Sequence, residues 1–192
     1  MKRVLISVHN KTGIVEFAKE LIKLGFSIIS TGGTLTTLKE NGVPNVKYVS
    51  EVTGFPEILE GRIKTLHPKM LAGVLAIRNR KEHMRELENF QIEPIDLVVC
   101  DLYPFEEVTK EGANLKTALE NIDIGGPTMI RAAAKNYQNV VIIVNPNRYV
   151  QVLDEFKKNG DVTAETRKLL ALETFKKTSQ YDLVIYQFLE NT

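Results

Sequence analysis

The stretch NIDIGGPTMIRAAAKN, residues 121–136, combines a carboxylate with a Gly-Gly-Pro helix start. Pro127 suits the first position of a helix, which leaves the amides of Gly125 and Gly126 free at its N-terminus. Asp123 stands just before this start. The pattern predicts an anion site at a helix N-terminus, where an oxyanion would rest on the free amides. Alternatively, Asp123 only complements the helix dipole.

Two bases follow in the same stretch. Arg131 and Lys135 are four residues apart, so they share one face of the predicted helix, and the alanines between them allow close packing. A buried face would require anionic partners or a ligand for both cations. An exposed face would make them ordinary surface residues, and local physics alone does not separate the two possibilities.

Two further polar segments, SVHNKTG (7–13) and STGGT (30–34), each follow an apolar run and open a helical pattern. The first places Lys11 and Thr12 beside a helix N-terminus, and the second adds two glycines and two threonines. Backbone amides at such ends bind phosphate. Each alone also fits an ordinary polar turn or helix cap, but together they predict one shared phosphomonoester site.

The segment GRIKTLHPKMLAG (61–73) is basic. In the extended conformation that Pro68 favours for the residue before it, alternation sends Arg62 and Lys64 to one side. They would then face a ligand. The other interpretation is a solvated basic loop in which His67 bonds a backbone group.

The elements that must position these residues follow from hydrophobic periodicity. Short β-branched runs alternate with segments of helical period, which predicts an α/β fold with a parallel sheet of about five strands flanked by helices. The predicted strands are VLISV, FSIIS, VKYV, IDLVVC and VVIIV. Ligands bind at the carboxyl ends of such strands. Tyr103, in DLYPFEE after the fourth strand, is there either a packed aromatic or a phenol donor.

The chain after about residue 146 reads as a helical appendage: NPNRYVQVLDEFKKNG as one helix closed by Gly160, then one long helix or two. Its apolar stripes indicate core or dimer packing. We therefore expect residues 1–192 to form a single domain.

Composition limits the function. The 192 residues carry 25 basic and 24 acidic side chains. The chain therefore lacks the excess of positive charge that is typical of a nucleic-acid-binding protein. The single cysteine, Cys100, excludes an intramolecular disulfide and a multi-cysteine zinc site. No segment resembles a signal peptide or membrane span. These features predict a soluble cytoplasmic protein without nucleic-acid or membrane partners.

The ordered set SVHNKTG, STGGT, TGFPEILEGRIKTLHP, LYPF and IDIGGPTMIRAAAKN resembles the inosine monophosphate (IMP) cyclohydrolase domain of the bifunctional purine-biosynthesis enzyme. This domain belongs to the methylglyoxal synthase-like superfamily, which has a Rossmann-like parallel sheet. The resemblance spans essentially the whole chain. It implies ring closure of 5-formamidoimidazole-4-carboxamide ribotide (FAICAR) to IMP and water, without a metal or organic cofactor.

The resemblance also assigns residues. The catalytic group falls on Lys64, Tyr103, Asp123 and Lys135. The residues that bind substrate and phosphate are Ser7, His9, Lys11, Thr12, Thr31, Gly32, Gly33, Thr34, Arg62, Thr65, Gly125 and Gly126. The phosphate site predicted from SVHNKTG and STGGT agrees with this assignment.

The chain departs from the family pattern in three ways. His9-Asn10 replaces the usual Ser-Asp, so an imidazole stands where a hydroxyl often contacts phosphate, and Thr31 replaces a frequent Ser. The formyltransferase domain of the family is absent from this sequence, so an AICAR transformylase would be a fused or separate partner. A homodimer is a further expectation.

Two rival functions use the same fold. Methylglyoxal synthase is a phosphate-eliminating lyase that lacks the motif set found here. A regulatory nucleotide-binding module, as in carbamoyl phosphate synthetase, needs phosphate loops but no convergent acid, lysines and tyrosine. The presence of all four of those residues favours the cyclohydrolase.

Overall fold

The computed structural model describes residues 1–192 and contains one five-stranded parallel sheet. Its order is β3-β2-β1-β4-β5. The strands are β1 (Arg3–Ser7), β2 (Ser27–Ser30), β3 (Val46–Tyr48), β4 (Leu97–Cys100) and β5 (Val141–Ile143). The predicted sheet is confirmed, and each strand forms in its predicted run, except that β1 starts one residue earlier, at Arg3. Because the winding direction reverses between β1 and β4, a crevice opens beyond their carboxyl ends.

Ten α-helices accompany the sheet. They are α1 (Ile14–Lys23), α2 (Gly32–Glu40), α3 (Val49–Thr53), α4 (Pro68–Leu75), α5 (Lys81–Asn89), α6 (Phe105–Lys110), α7 (Leu115–Glu120), α8 (Gly125–Lys135), α9 (Tyr149–Asn159) and α10 (Ala164–Glu190). Short 3₁₀ turns form at Leu59–Gly61 and Pro146–Arg148. None of the helices is both long enough and apolar enough to cross a membrane.

The core lies on both faces of the sheet. Strands β4 and β5 are buried along their whole length, as their continuous apolar sequences predict. Leu5, Val98 and Ile142 are at most 1% exposed. Burial of each such side chain stabilises the fold by about 1.5–3 kcal/mol, which holds the strand ends and their loops in place.

The C-terminal part forms two α-helices. Gly160 ends α9 in the left-handed conformation (φ 73°), as predicted for a glycine cap. After it, α10 runs without interruption for 27 residues and packs against α8, β5 and α6. Leu170, Thr174 and Thr178 are buried on the inner face of α10.

Helix α8 begins two residues earlier than the sequence suggested. Gly125 is its first residue, so Pro127 occupies the third position and not the first. Proline is tolerated there because the amides of the first turn have no helical acceptor. The earlier start brings both glycines into the helix.

Candidate active site

A cavity of about 670 Å³ opens at the carboxyl ends of β1, β2 and β4. Its size lies in the range of small-molecule sites. All of the predicted site residues except Thr12 and Lys135 line it. Those on its wall are Ser7, His9, Lys11, Thr31, Gly32, Gly33, Thr34, Arg62, Lys64, Thr65, Tyr103, Asp123, Gly125 and Gly126.

Buried hydroxyls connect the loops after β1 and β2. The hydroxyls of Ser7 and Thr31 are hydrogen-bonded at 2.9 Å. Thr34 Oγ1 accepts the amide of Val8 at 3.1 Å and donates to the Val8 carbonyl at 2.9 Å. Both threonines are 3% exposed. Thr34, expected to contact a ligand through its hydroxyl, therefore uses that group to hold the two loops together.

The N-terminus of α2 points its first amides at the cavity. The N–H groups of Gly32, Gly33 and Thr34 precede the first residue with a helical acceptor. Gly32 has φ +43°, and a Cβ built on it would lie 3.9 Å from Lys64 Nζ. The positive φ favours glycine at this position, and the lysine ammonium stands close to the helix start. Amides, helix dipole and ammonium together suit an anionic group.

The loop after β1 is held by an acid that sequence reasoning missed. The carboxylate of Asp101 accepts the amides of His9 and Asn10, the latter at 2.9 Å. Lys11 Nζ folds back onto the carbonyls of its own loop. Burial lowers the pKa of Lys11, and Asp101 opposes that shift. The signal was an acid placed directly after the apolar run of β4, at a carboxyl strand end.

Thr12 lies outside this cavity. Its side chain is exposed, and its amide donates to the Asn10 side chain at 2.9 Å, closing a local turn. Arg62 is on the wall but is largely exposed and pairs with Glu120 at the end of α7. Exposed acids, Glu57 and Glu60, also line the cavity. The rim is therefore of mixed charge.

Asp123 is a partly buried carboxylate on the cavity wall. Its Oδ1 accepts the amide of Gly126 at 2.8 Å, so the acid caps α8. A Cβ on Gly126 would overlap this carboxylate, which explains the glycine there. The structure corrects the idea that both glycine amides await an oxyanion, because Gly126 already donates to Asp123.

The electrostatics of Asp123 combine opposing effects. Burial raises the pKa of its carboxyl, whereas the backbone amides of Gly126 and Tyr103 and the ammonium of Lys64 lower it. The negative charge of Asp101 raises the pKa further. The net direction is upward, as expected for an acid whose charged form loses hydration. Such a carboxyl is suited to exchanging protons.

Tyr103 lies on the cavity wall with 42% of its surface exposed. Its ring meets that of His9 edge to face, with centroids 6.1 Å apart and an interplanar angle of 81°. The phenol is thus available to a ligand and is not a packed core residue. His67 lies outside the wall, where its Nδ1 accepts the Lys69 amide at 3.2 Å and caps α4.

Lys135 does not join this group within one chain. It is exposed at the C-terminal end of α8, roughly 15 Å along the helix from Gly125 at 1.5 Å per residue. Arg131 is also exposed, and its guanidinium lies 5.8 Å from the ring centre of Phe175. The two bases share a helix face, but they do not converge with Asp123 because α8 carries them away from its N-terminus.

Comparison with known protein families divides the chain in two. Residues 13–128 match the MGS-like domain family, and residues 133–192 match the AICARFT/IMPCHase bienzyme family. The first match covers β2, β3 and β4 with the cavity loops that follow them, up to the first turn of α8, and it begins after β1. The second covers the last three residues of α8, then β5 and the two C-terminal helices.

Several relatives are named bifunctional purine biosynthesis protein PurH. Those of Acetivibrio thermocellus and Persephonella marina are each 56% identical, over 190 and 184 residues. That of a Thermoanaerobacter species is 57% identical over 189 residues. The matches include 96–98% of this chain but only 36–37% of each relative. The chain therefore spans little more than a third of their length.

Among solved structures, the crystal structure of ForH superposes with a TM-score of 0.88. It is 30% identical in sequence, and the match covers 99% of this chain and 97% of ForH. The similarity therefore extends through the C-terminal helices as well as the sheet.

Proposed function

The chain belongs to the MGS-like domain family, and from this premise we propose that it is an IMP cyclohydrolase. It would close the ring of FAICAR to give IMP and water. One observation carries the proposal: Lys64, Tyr103 and Asp123 stand in one cavity with the N-terminus of α2. The names of the PurH relatives and of the bienzyme family support the same reaction.

In the proposed complex the substrate phosphate lies at the N-terminus of α2. The amides of Gly32 and Gly33 and the ammonium of Lys11 are the donors. The imidazole of His9 also lies on this wall and can donate where relatives of the family often carry a hydroxyl. The imidazole ring of the substrate, with its carboxamide and formamide groups, then extends toward Asp123.

The reaction is intramolecular, so orientation contributes much of the acceleration. The carboxamide nitrogen attacks the formyl carbon, forming a C–N bond while that nitrogen loses a proton and the formyl oxygen gains one. The adduct then loses its hydroxyl as water, together with the proton of the formamide nitrogen. Well-oriented pairs reach effective molarities of roughly 10⁵ M or more.

Each side chain has a proposed part in these steps. Asp123, in its ionised form, accepts the amide proton, and its raised pKa makes it a stronger base than an exposed aspartate. Lys64 stabilises the negative charge that gathers on the formyl oxygen. Tyr103 orients the adduct or donates a proton as water leaves. The amide of Gly125 is a further donor on this wall.

Lys135, the fourth residue assigned by resemblance, requires a second copy of the chain. It is exposed at the far end of α8, so it reaches no atom near its own Asp123. We propose that the protein is a homodimer in which Lys135 of one copy serves the cavity of the other. A cytoplasmic location and an AICAR transformylase, fused or separate, complete the proposal.

Turnover of FAICAR without folate or added metal tests the function. IMP formation would be followed by absorbance and chromatography. Wild type should form IMP, and Lys64→Ala should lose on the order of 10²-fold or more in rate. Lys69→Ala is the matched control, because Lys69 belongs to the same basic segment but lies outside the cavity. Tight IMP binding without turnover would instead indicate a regulatory module.

A further inference from the structure

Tyr181, on α10, reaches the loop that carries Asp123. Its hydroxyl oxygen accepts the backbone N–H of Asp123 at 2.8 Å. The same hydroxyl donates to the carbonyl of Asn121 at 3.4 Å. A residue 58 positions away in sequence thus bonds both sides of the turn between α7 and α8. Nothing in the helical pattern of α10 predicted this contact.

No backbone carbonyl accepts a hydrogen bond from the amide of Asp123. Asn121 and Ile122 still donate to carbonyls of α7, at 3.0 and 3.2 Å, but Asp123 lies beyond the end of that helix. It also precedes α8, whose first residue is Gly125. The hydroxyl of Tyr181 therefore satisfies a partly buried amide that would otherwise lose its hydrogen bond, a loss that is costly in a protein interior.

The hydroxyl can accept and donate at once because the phenol stays neutral. Burial raises the pKa of Tyr181 to about 12, with the Asp123 carboxylate adding to the effect and its amide opposing it. The ring is held from the other side by Phe105 of α6, edge to face at 6.3 Å. Packing thus fixes where the hydroxyl stands.

From this geometry we propose that Tyr181 is a positioning residue for Asp123, acting through the backbone of the 121–123 turn. The inference rests on the proposed cyclohydrolase function for its catalytic meaning. It gives α10 a part in the site: the helix holds the carboxylate against the N-terminus of α8. The hydroxyl bonds backbone atoms only and need not touch the substrate.

Tyr181→Phe tests the proposal, because it removes the hydroxyl and keeps the ring against Phe105. The kcat should fall by roughly threefold to tenfold, the equivalent of one hydrogen bond, while KM stays within about twofold. Tyr186→Phe is the control: its hydroxyl bonds only Glu190 of the same exposed helix face, at 2.6 Å, and the change should leave both constants as in wild type.

Amide hydrogen exchange supplies a readout independent of activity. Exchange across residues 121–126 should be faster in Tyr181→Phe than in wild type and Tyr186→Phe, with the rest of the chain unchanged. Equal exchange in all three proteins, or faster exchange with an unchanged kcat, would overturn the proposal. If wild type does not convert FAICAR, the proposed function is wrong, and the exchange data alone decide whether Tyr181 anchors Asp123.

Discussion

The two ends of α8 have opposite surroundings. At the N-terminal end, Asp123 and Gly126 face the cavity and bond one another, and the carboxyl is partly buried. At the C-terminal end, Lys135 is exposed and forms no ion pair, although three flanking alanines are buried. The two ends of one sequence motif thus lie in separate parts of the fold.

The difference shows what spacing along a helix can and cannot establish. Residues four apart share a face, but each turn also moves the side chain about 5.4 Å along the axis. Three turns separate Asp123 from Lys135, which exceeds the reach of a lysine side chain. A shared motif therefore predicts a shared site only when the distance along the axis is counted as well.

The largest expected effect lies at the N-terminal end. Asp123→Asn keeps the shape and one acceptor for the Gly126 amide but removes the base. We expect kcat to fall by 10²-fold or more, the usual contribution of a general base. Steady-state assay of IMP formation measures it. Asp154→Asn, an exposed acid on α9, is the control and should retain full activity. Near-normal turnover of Asp123→Asn would remove this residue from the mechanism.

At the opposite end, Lys135→Ala should lower kcat by about tenfold or more if a second copy supplies this lysine. Arg131→Gln, one turn away on the same face, should have little effect. The decisive measurement mixes Lys135→Ala chains with Asp123→Asn chains after dissociation. In a symmetric dimer, half the dimers are then mixed, and each mixed dimer holds one complete cavity.

Activity of the mixture should recover to about a quarter of the wild-type value in that arrangement. No recovery from two inactive variants would place both residues in the same cavity of one chain and contradict the geometry of α8. Wild-type activity in Lys135→Ala alone would show that this end of the helix has no part in the reaction.

Much of the fold followed from local signals. The β-branched runs predicted all five strands, because strands buried on both faces are continuously apolar. Gly160 predicted the end of α9, because a positive φ favours glycine. The loops after β1 and β2 were predicted to share one site, and residues of both line the same cavity. Phosphate binding there stays a prediction.

The hydrogen bonds inside the site were not predictable. Thr34 bonds Val8, Asp101 bonds His9, and Tyr181 bonds Asp123, and each pair joins segments at least 26 residues apart. Such pairs depend on how separate elements pack, which local periodicity does not encode. For that reason the sequence predicted Thr34 as a ligand contact and did not point to Asp101 or Tyr181.

The smallest effect concerns stability, and it also separates the two ends of α8. Because the folded state raises the pKa of Asp123 above its ordinary value of 3.8, the folded protein binds this proton more tightly than the unfolded chain does. The stabilisation that comes from protonated Asp123 is fully present below the pKa of this residue in the unfolded chain. It is lost as pH rises through its pKa in the folded protein. At neutral pH the buried charge therefore costs stability.

Asp123→Asn imitates the protonated acid, so at pH 7 its Tm should exceed that of wild type, and the difference should vanish as the pH falls below about 4. Lys135→Ala, at the exposed end, should shift Tm little at either pH, since exposed surface positions change stability by about 0.5 kcal/mol or less. Thermal denaturation of the three proteins at both pH values measures this. A lower Tm for Asp123→Asn at pH 7 would mean that the hydrogen bond from the Gly126 amide and the charge of Lys64 stabilise the carboxylate by more than its burial costs. The main role of Asp123 would then be to cap α8.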